Sequence, residues 1–577
     1  MTHTRSEAIG LGTKRSAITT NLAMSPAILA VMIVLLIVIF TPLLGQRFHA
    51  SDPLWIDNDQ LIDVSEEPEE IELSDLYDRF GHIFKELGDP HFSEAMNVNS
   101  LDEAPDSSWY TNRHAKDSMT IDELIQGANL DGPPSADEEW YVFRGKTQGI
   151  TPGFQIEDSN GARFVIKFDP PELPELATAA EAIASRIFYA LGFNVPQNYV
   201  IQFNPDNLRI KEGTVVADSF GDRVPLTKFR LNRMLRLIPR QADGKVRATA
   251  SRYIAGKPIG PFRYFDTRSD DPNDVIPHEH RRELRGLRLF AAWTNHDDTR
   301  AQNTQDAWVE SAGSHFIRHY LMDFGSTFGS GSVMIQRAPL GFSYSLDFGD
   351  MKYHAPRLGI PVPKYRRVRW PEFPKYKAVG RWEAEHFDPK GWKNDYPNPA
   401  FLRMTARDAF WAAKVLAKFT EEELLAIVRQ GLYSDPENER YFHEVLVKRQ
   451  EKCARFGING LNPLDGFQVA GKNLEFTNLS EHYGFVRKGS TDYRTHWYLF
   501  DNQEQETGPT LGQTEGPNPE IPESAQNGLF LLAVISSQHS DHPHWKDPAK
   551  VYLRPSATGY EVVGIEREAP ASYISMK

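Results

Sequence analysis

The order of apolar and polar positions divides the chain into stretches of different character, and the first is unlike the rest. Residues 16–46 carry no charge, and "PAILAVMIVLLIVIF" within them is almost purely aliphatic. As a helix, residues 22–44 span about 34 Å, enough to cross a bilayer. No small-x-small cleavage site follows, which predicts an uncleaved transmembrane anchor over 22–44 in place of a signal peptide. Arg5, Lys14 and Arg15 precede the run, whereas 51–78 holds many Asp and Glu and no Lys or Arg. Positive flanks stay in the cytoplasm. Residues 1–21 are therefore expected inside and the main domain outside, as a single-pass protein of the cell membrane. "SEEPEEIELSD" marks 45–78 as a solvated acidic tether, and 79–139, with its turn-rich "NSLDEAPDSSWYTNR", as an irregular leader region.

From Trp140 the pattern changes. "WYVFRG", "GFQIED" and "ARFVIKFD" are short runs rich in β-branched and aromatic residues, with "DSNG" as the turn before the third. Ala180, Ile183, Ile187 and Leu191 then recur at helical spacing in "ELATAAEAIASRIFYALG", and "NVPQNYVIQF" reads as the next strand. Residues 140–276 are thus expected to form an α+β lobe with its linker. A second, mostly helical lobe is expected over 277–472. In "PHEHRRELRGLRLFAAW", Leu284, Leu287 and Ala291 share one helical face. A polar knot, "TNHDDTRAQN", follows. "DAWVE", "SAGS" and "HFIRHYLMD" read as a hairpin. Three helical patterns come next, the second opened by a Thr420/Glu423 capping box. Alternation in "YRTHWYLF", "LFLLAVISS" and "KVYLRPSATGYEVVGIE" predicts a small β-rich domain over 473–577.

Composition narrows the possibilities. Fractions of 40% hydrophobic and 25% charged residues are those of an ordinary globular protein. A formal net charge of −14 argues against a general nucleic-acid binder, so nucleic acid is not an expected partner. The lone Cys453 rules out an intrachain disulfide and a multi-cysteine metal cluster.

The order of parts carries the chemistry: a strand with a lysine, a helix with a glutamate, a helix, a polar loop, a hairpin, then "DFG". This layout resembles the protein-kinase-like fold, in particular the atypical group of HipA-type, spore-coat CotH-type and secretory-pathway kinases. The resemblance covers about residues 140–467. It implies a two-lobed α+β domain and transfer of a phosphoryl group from ATP or another nucleotide, with Mg²⁺ or Mn²⁺, to a hydroxyl of a protein, a glycan or a lipid head group. Such transfer needs oxygen ligands for the metal, a cation on the phosphates and a base at the acceptor. The resemblance assigns Lys167 of "FVIKFD" to the phosphates and Glu181 as its helix partner, although Glu172 and Glu175 lie nearby. It assigns Asp298 as the base and Arg300 to the transferring phosphate. Asn303, five residues after Asp298, and Asp323 of "MDFG" become metal ligands. Asp297 is a rival for the base. "LDFG" recurs at Asp347, but the hairpin leads from Asn303 into Asp323. A G-x-G-x-x-G is missing; Gly145, Gly149 and Gly153 in "GKTQGITPG" give a looser turn, with Gly149 and Gly153 nearest the nucleotide.

Other clusters read more simply. "HSDHPH" (539–544) is a solvated loop, "PHEHRR" a helix start, and neither G-x-S-x-G nor a Walker lysine motif occurs. An extracytoplasmic kinase lobe faces a compartment poor in ATP. The competing readings are therefore a catalytically inactive pseudokinase-like binding module and a structural protein of the cell envelope.

Overall fold

Strands β1 (Trp140–Gly145), β2 (Gly153–Glu157), β3 (Arg163–Lys167), β4 (Asn198–Phe203), β5 (Leu208–Ile210) and β8 (Val246–Arg252) build a six-stranded sheet in the order β4-β8-β3-β2-β1-β5. Between β5 and β8, β6 (Val215–Ala217) and β7 (Arg223–Pro225) form a separate pair. This computed structural model describes residues 45–91, 93–145, 153–217, 222–357, 362–368, 376–525 and 528–568. The expected anchor over 22–44 and Gly149 lie outside the described residues. Among those described, no helix is long and apolar enough to cross a membrane.

Alternation along β3 buries Phe164 and Ile166 in the sheet core and turns Lys167 to the other face. That face meets the Leu176–Ala190 helix, in which every residue but Tyr189 is buried. A helix buried on every side belongs in a core. This one joins the core of the helical lobe, with Ala180, Ile183 and Ile187 packed in the same cluster as Leu287, Phe290 and Ile427.

The predicted hairpin is formed by β10 (Thr304–Ser311) and β11 (Ser314–Leu321), with β9 (Lys257–Pro258) on its edge. Its two-residue turn, Ala312 and Gly313, has φ of 53° and 83°, the left-handed pair that matches strand twist. Thr304 pairs with Leu321, so the residues flanking the two strands, Asn303 and Asp323, come to the same end.

The Arg282–Thr294 helix departs from the one-faced pattern expected of it, because it is buried on all sides, arginines included. Arg282 lies 2.8 Å from both Asp102 and Asp408, and Arg285 lies 3.5 Å from Asp408. Buried charges persist only when paired. Here the partners come from the leader region and from the Ala406–Ala417 helix. The Glu421–Val428 and Pro436–Ile458 helices complete the lobe, and the Thr420/Glu423 capping box is present.

Strands β12 (Leu464–Ala470) and β13 (Asn473–Asn478) pair, and Leu464 and Leu474 share a core with Trp497 and Leu531. Paired strands thus begin at Leu464, ahead of the 473 expected from the alternation. A five-stranded sheet follows, ordered β15-β14-β16-β17-β18, from β14 (Asp492–Asp501), β15 (Glu506–Glu515), β16 (Phe530–Gln538), β17 (Ala549–Ser556) and β18 (Gly559–Arg567).

The reading of 45–78 as a solvated tether is corrected by the structure. The segment is acidic, but its backbone is docked: Val64 N–H donates to His315 O at 2.9 Å and Ile71 N–H to Ile259 O at 3.1 Å. A Cβ on Gly260 would lie 2.1 Å from Ile71 O, so the close passage requires glycine, whose φ of +90° also excludes most side chains. The leader is not irregular throughout either. It contains the Asp75–Phe84 and Ile121–Gln126 helices, and Ala104, Trp109, Tyr110 and Leu124 enter the main core. Charge composition suggested a free chain, and long-range backbone pairing overrides it. Residues 45–47 and 502–506 belong to a separate small unit, within which Arg47 N–H donates to Asn502 O at 2.8 Å.

Candidate active site

Lys167 sits at the end of β3, opposite Gly153 of β2 and Thr249 of β8. Its ammonium lies 2.9 Å from Asp323 Oδ1 and 3.3 Å from Glu181 Oε2. Burial alone lowers a lysine pKa, but here the Asp323 and Glu181 carboxylates prevail and hold it above its ordinary value. Glu181 is buried at 2% exposure, and burial raises its pKa against the pull of Lys167. Its other oxygen accepts from Phe324 N–H at 3.2 Å and Asn198 Nδ2 at 3.4 Å. The glutamate therefore ties the sheet lysine to the backbone of "DFG". Of its rivals, Glu172 is exposed and Glu175 accepts from Ser434 N–H.

Asp323 has φ of 55°, a costly left-handed conformation for a non-glycine residue. Strain of this kind is held by its surroundings. Phe324 stacks on Phe188 at 5.1 Å, and Met322 N–H donates to Asn303 O at 2.8 Å. Asp347, in the second "DFG", does something else. It caps the Phe348–His354 helix, accepting from Asp350 N–H at 3.0 Å, and pairs with Lys393 at 2.5 Å.

The polar knot resolves residue by residue. Asn295 ends the preceding helix in the left-handed conformation, φ 52°, and its side chain accepts from Trp392 Nε1–H at 2.9 Å. His296 is buried against Phe188 and Phe324, and burial lowers its pKa to about 4. Asp297 is buried too, its Oδ1 accepting from Gln336 Nε2. Burial, with Asp298 and Asp395 nearby, raises its pKa well above the ordinary value.

Asp298, in contrast, is only partly buried, and both aspartates line a cavity of about 380 Å³ together with Arg79, Arg300, Met334, Gln336 and Asp395. Burial raises its pKa to about 6, with Arg300 and Asn303 pulling down and Asp323 and Asp395 pushing up. Arg300 Nε lies 2.6 Å from Asp298 Oδ1, and its Nη1 lies 2.9 Å from Asp75 in the acidic 45–78 segment. Asn303 Nδ2 donates to Asp298 O at 2.8 Å, which commits its nitrogen and leaves its oxygen as the ligating atom.

A divalent cation fits this donor set. Asp323 supplies carboxylate oxygen and Asn303 amide oxygen, hard ligands suited to Mg²⁺ or Mn²⁺. Among the described residues no group of three or more His, Cys, Asp or Glu is arranged for a metal, so phosphate and water oxygens would complete the shell, as Mg²⁺ prefers. The space enclosed by Lys167, Phe168, Thr249 and Gly325 measures about 10 Å³, no larger than a water molecule.

The structure thus brings Lys167, Glu181 and Asp323 into direct contact and sets Asn303, Asp298 and Arg300 on the adjoining loop. Gly153 flanks Lys167 across the strands. Sequence reasoning missed Asp75, Arg79, Gln336 and Asp395, which come from the acidic segment, from the leader and from irregular chain after the hairpin. No local pattern marks them.

The chain has weak likenesses among solved structures. It is similar to the crystal structure of a Helicobacter pylori proinflammatory kinase, CtkA, with 11% identity over 56% of this chain and 99% of that one and a TM-score of 0.30. It is also similar to the Golgi casein kinase with Mn and ADP bound, with 10% identity over 78% and 92% and a TM-score of 0.26. A second structure of the Golgi casein kinase gives 12% identity over 71% and 94%, with a TM-score of 0.26. No protein-family model matches the chain, and no curated protein matches it. The weight of the kinase-like reading rests on the contacts described above.

Proposed function

We propose that this chain is a membrane-anchored atypical kinase that moves a phosphoryl group from a metal-bound nucleotide such as ATP to a hydroxyl acceptor. The observation that carries the reading is Lys167 held between Glu181 and Asp323, beside the loop of Asp298 and Asn303. Lys167 would neutralise the nucleotide phosphates and Glu181 would keep it aimed. Asp323 and Asn303 would hold the cation, and the Lys167–Asp323 pair would have to open to admit the phosphates. The cation, when bound, supplies positive charge against the phosphate oxygens. Asp298, with a pKa near 6, is ionised at neutral pH yet basic enough to take the acceptor proton. Arg300 must release Asp298 Oδ1 for that step, and Asp75 already holds its other end.

A second reading is favoured by the same contact. With Arg300 paired to the base, the domain could bind nucleotide without turnover. The deciding experiment is titration of the full chain with ATP and Mn²⁺, followed by phosphoryl transfer to envelope proteins, glycans and lipids. Binding with transfer is the expected result; binding without transfer selects the inactive module; no binding removes both.

The anchor over 22–44 is part of this proposal, supported by the uncharged run and its flanking charges. A reporter fused after Lys577 is expected to read as extracytoplasmic, and the protein to stay with membranes through a carbonate wash. A cytoplasmic signal would reverse the orientation and bring the lobe to ordinary cellular ATP.

A further inference from the structure

The Asp75–Phe84 helix is inverted. A surface helix normally turns its apolar stripe inward. Here the inward side is mostly polar: Asp78 accepts from Tyr396 Oη at 2.7 Å, Arg79 pairs with Asp395 at 2.6 Å and His82 is buried next to the part-buried Ile83, while the exposed Asp75 reaches Arg300. The aromatic stripe points out, with Tyr77 81% exposed and Phe80 and Phe84 exposed beside it. Spaced at i, i+3 and i+7, these three lie on one face.

The stripe continues onto a second helix from a distant part of the chain. Phe80 stacks on Phe84 at 5.8 Å, and Phe84 meets Phe348 at 5.8 Å. Phe348 and Met351, one turn apart, are both exposed. Exposed Lys85 and Lys352 adjoin these residues in sequence, as do the exposed Glu86 and the part-exposed Asp350, so the edge carries both signs of charge. A contiguous aromatic patch with a mixed polar edge has the composition of a face that enters the headgroup region of a bilayer.

We propose that this patch docks on the surface of the lipid bilayer that holds the chain's own apolar run. The helix begins about 30 residues after that run ends, and its inner side, through Arg79, lines the cavity containing Asp298. A helix with side chains is about 10 Å across. Docking the outer face therefore sets the acceptor cavity at headgroup depth, where a hydroxyl borne by a membrane component reaches the base. The inference rests on the anchored reading proposed above.

The test uses the full chain in vesicles of phosphatidylcholine and phosphatidylglycerol. Cys453 is fully buried, so a Tyr77→Cys variant takes a bimane label at one place. A label at Asn160→Cys, in the turn between β2 and β3, is the reference. Brominated acyl chains are expected to quench the Tyr77 label at least two-fold more than the Asn160 label, and Phe80→Asp is expected to abolish that excess. Equal quenching of the two labels overturns the proposal. So does a Tyr77 label shielded from both brominated lipid and aqueous iodide, which marks a protein occupant such as a second copy or residues 1–44. Carbonate extraction of the same vesicles separates the two readings: retention with equal quenching sinks the docking face alone, and loss from the membrane sinks the anchor.

Discussion

Asp298→Asn is expected to slow phosphoryl transfer by about 10²–10⁴-fold, the usual worth of a general base, with little change in nucleotide affinity. The residue lines the cavity proposed for the acceptor, whereas Lys167 and Asp323, paired with each other, are the residues proposed to meet the phosphates and cation. Single-turnover transfer measured beside nucleotide titration separates the two effects, and a matched fall in both would make Asp298 a binding group. The wild-type rate should rise with pH through about 6 and then level, because only the ionised carboxylate accepts a proton. The sign for stability is opposite. A carboxyl whose folded pKa is raised contributes stability that is full below its unfolded value of 3.8 and is lost as pH rises through about 6. The site thus trades stability for a usable base. Asp297→Asn keeps an oxygen for Gln336 to donate to and is expected to cost less than Asp298→Asn.

The second large effect belongs to the carboxylates of the two "DFG" segments. Asp323→Ala is expected to abolish metal-dependent nucleotide binding, because it removes the charged oxygen donor at the hairpin end. Asp347→Ala should leave binding intact and cost about 1 kcal/mol of stability, as loss of a helix N-cap does. Lys167→Ala should weaken nucleotide binding by about 1.5–3 kcal/mol, on the order of ten- to a hundred-fold, through the lost charge-assisted contact. It also strands Glu181 in the core. Denaturation midpoints measured alongside isothermal titration keep the two losses apart. If Asp347→Ala proves the binding-deficient variant, the site has been placed on the wrong segment.

Local pattern was enough for the elements that position the site. Alternation placed Lys167 on the far face of "FVIKFD", and helical periodicity marked the Leu176–Ala190 helix around Glu181. The "SAGS" turn marked a hairpin, and pairing of its ends makes neighbours of Asn303 and Asp323 from residues alone. These are readable because strand and helix periods follow from backbone geometry within a few residues.

Tertiary structure decided what depends on partners far along the chain. Nothing within "RRELRGLRLF" shows that Arg282 and Arg285 will be buried, since their neutralising carboxylates, Asp102 and Asp408, lie more than a hundred residues away on either side. The acidic run before Asp78 reads as solvated until Val64 and Ile71 find carbonyls on β11 and beside β9. The fold sets which lysine each "DFG" aspartate meets, which of three glutamates lies beside Lys167, and how deeply Asp297 and Asp298 are buried along one cavity. A sequence sets which groups are available. Folding sets their dielectric surroundings and their distances, and those two quantities separate an aspartate raised to about 6 from one that caps a helix.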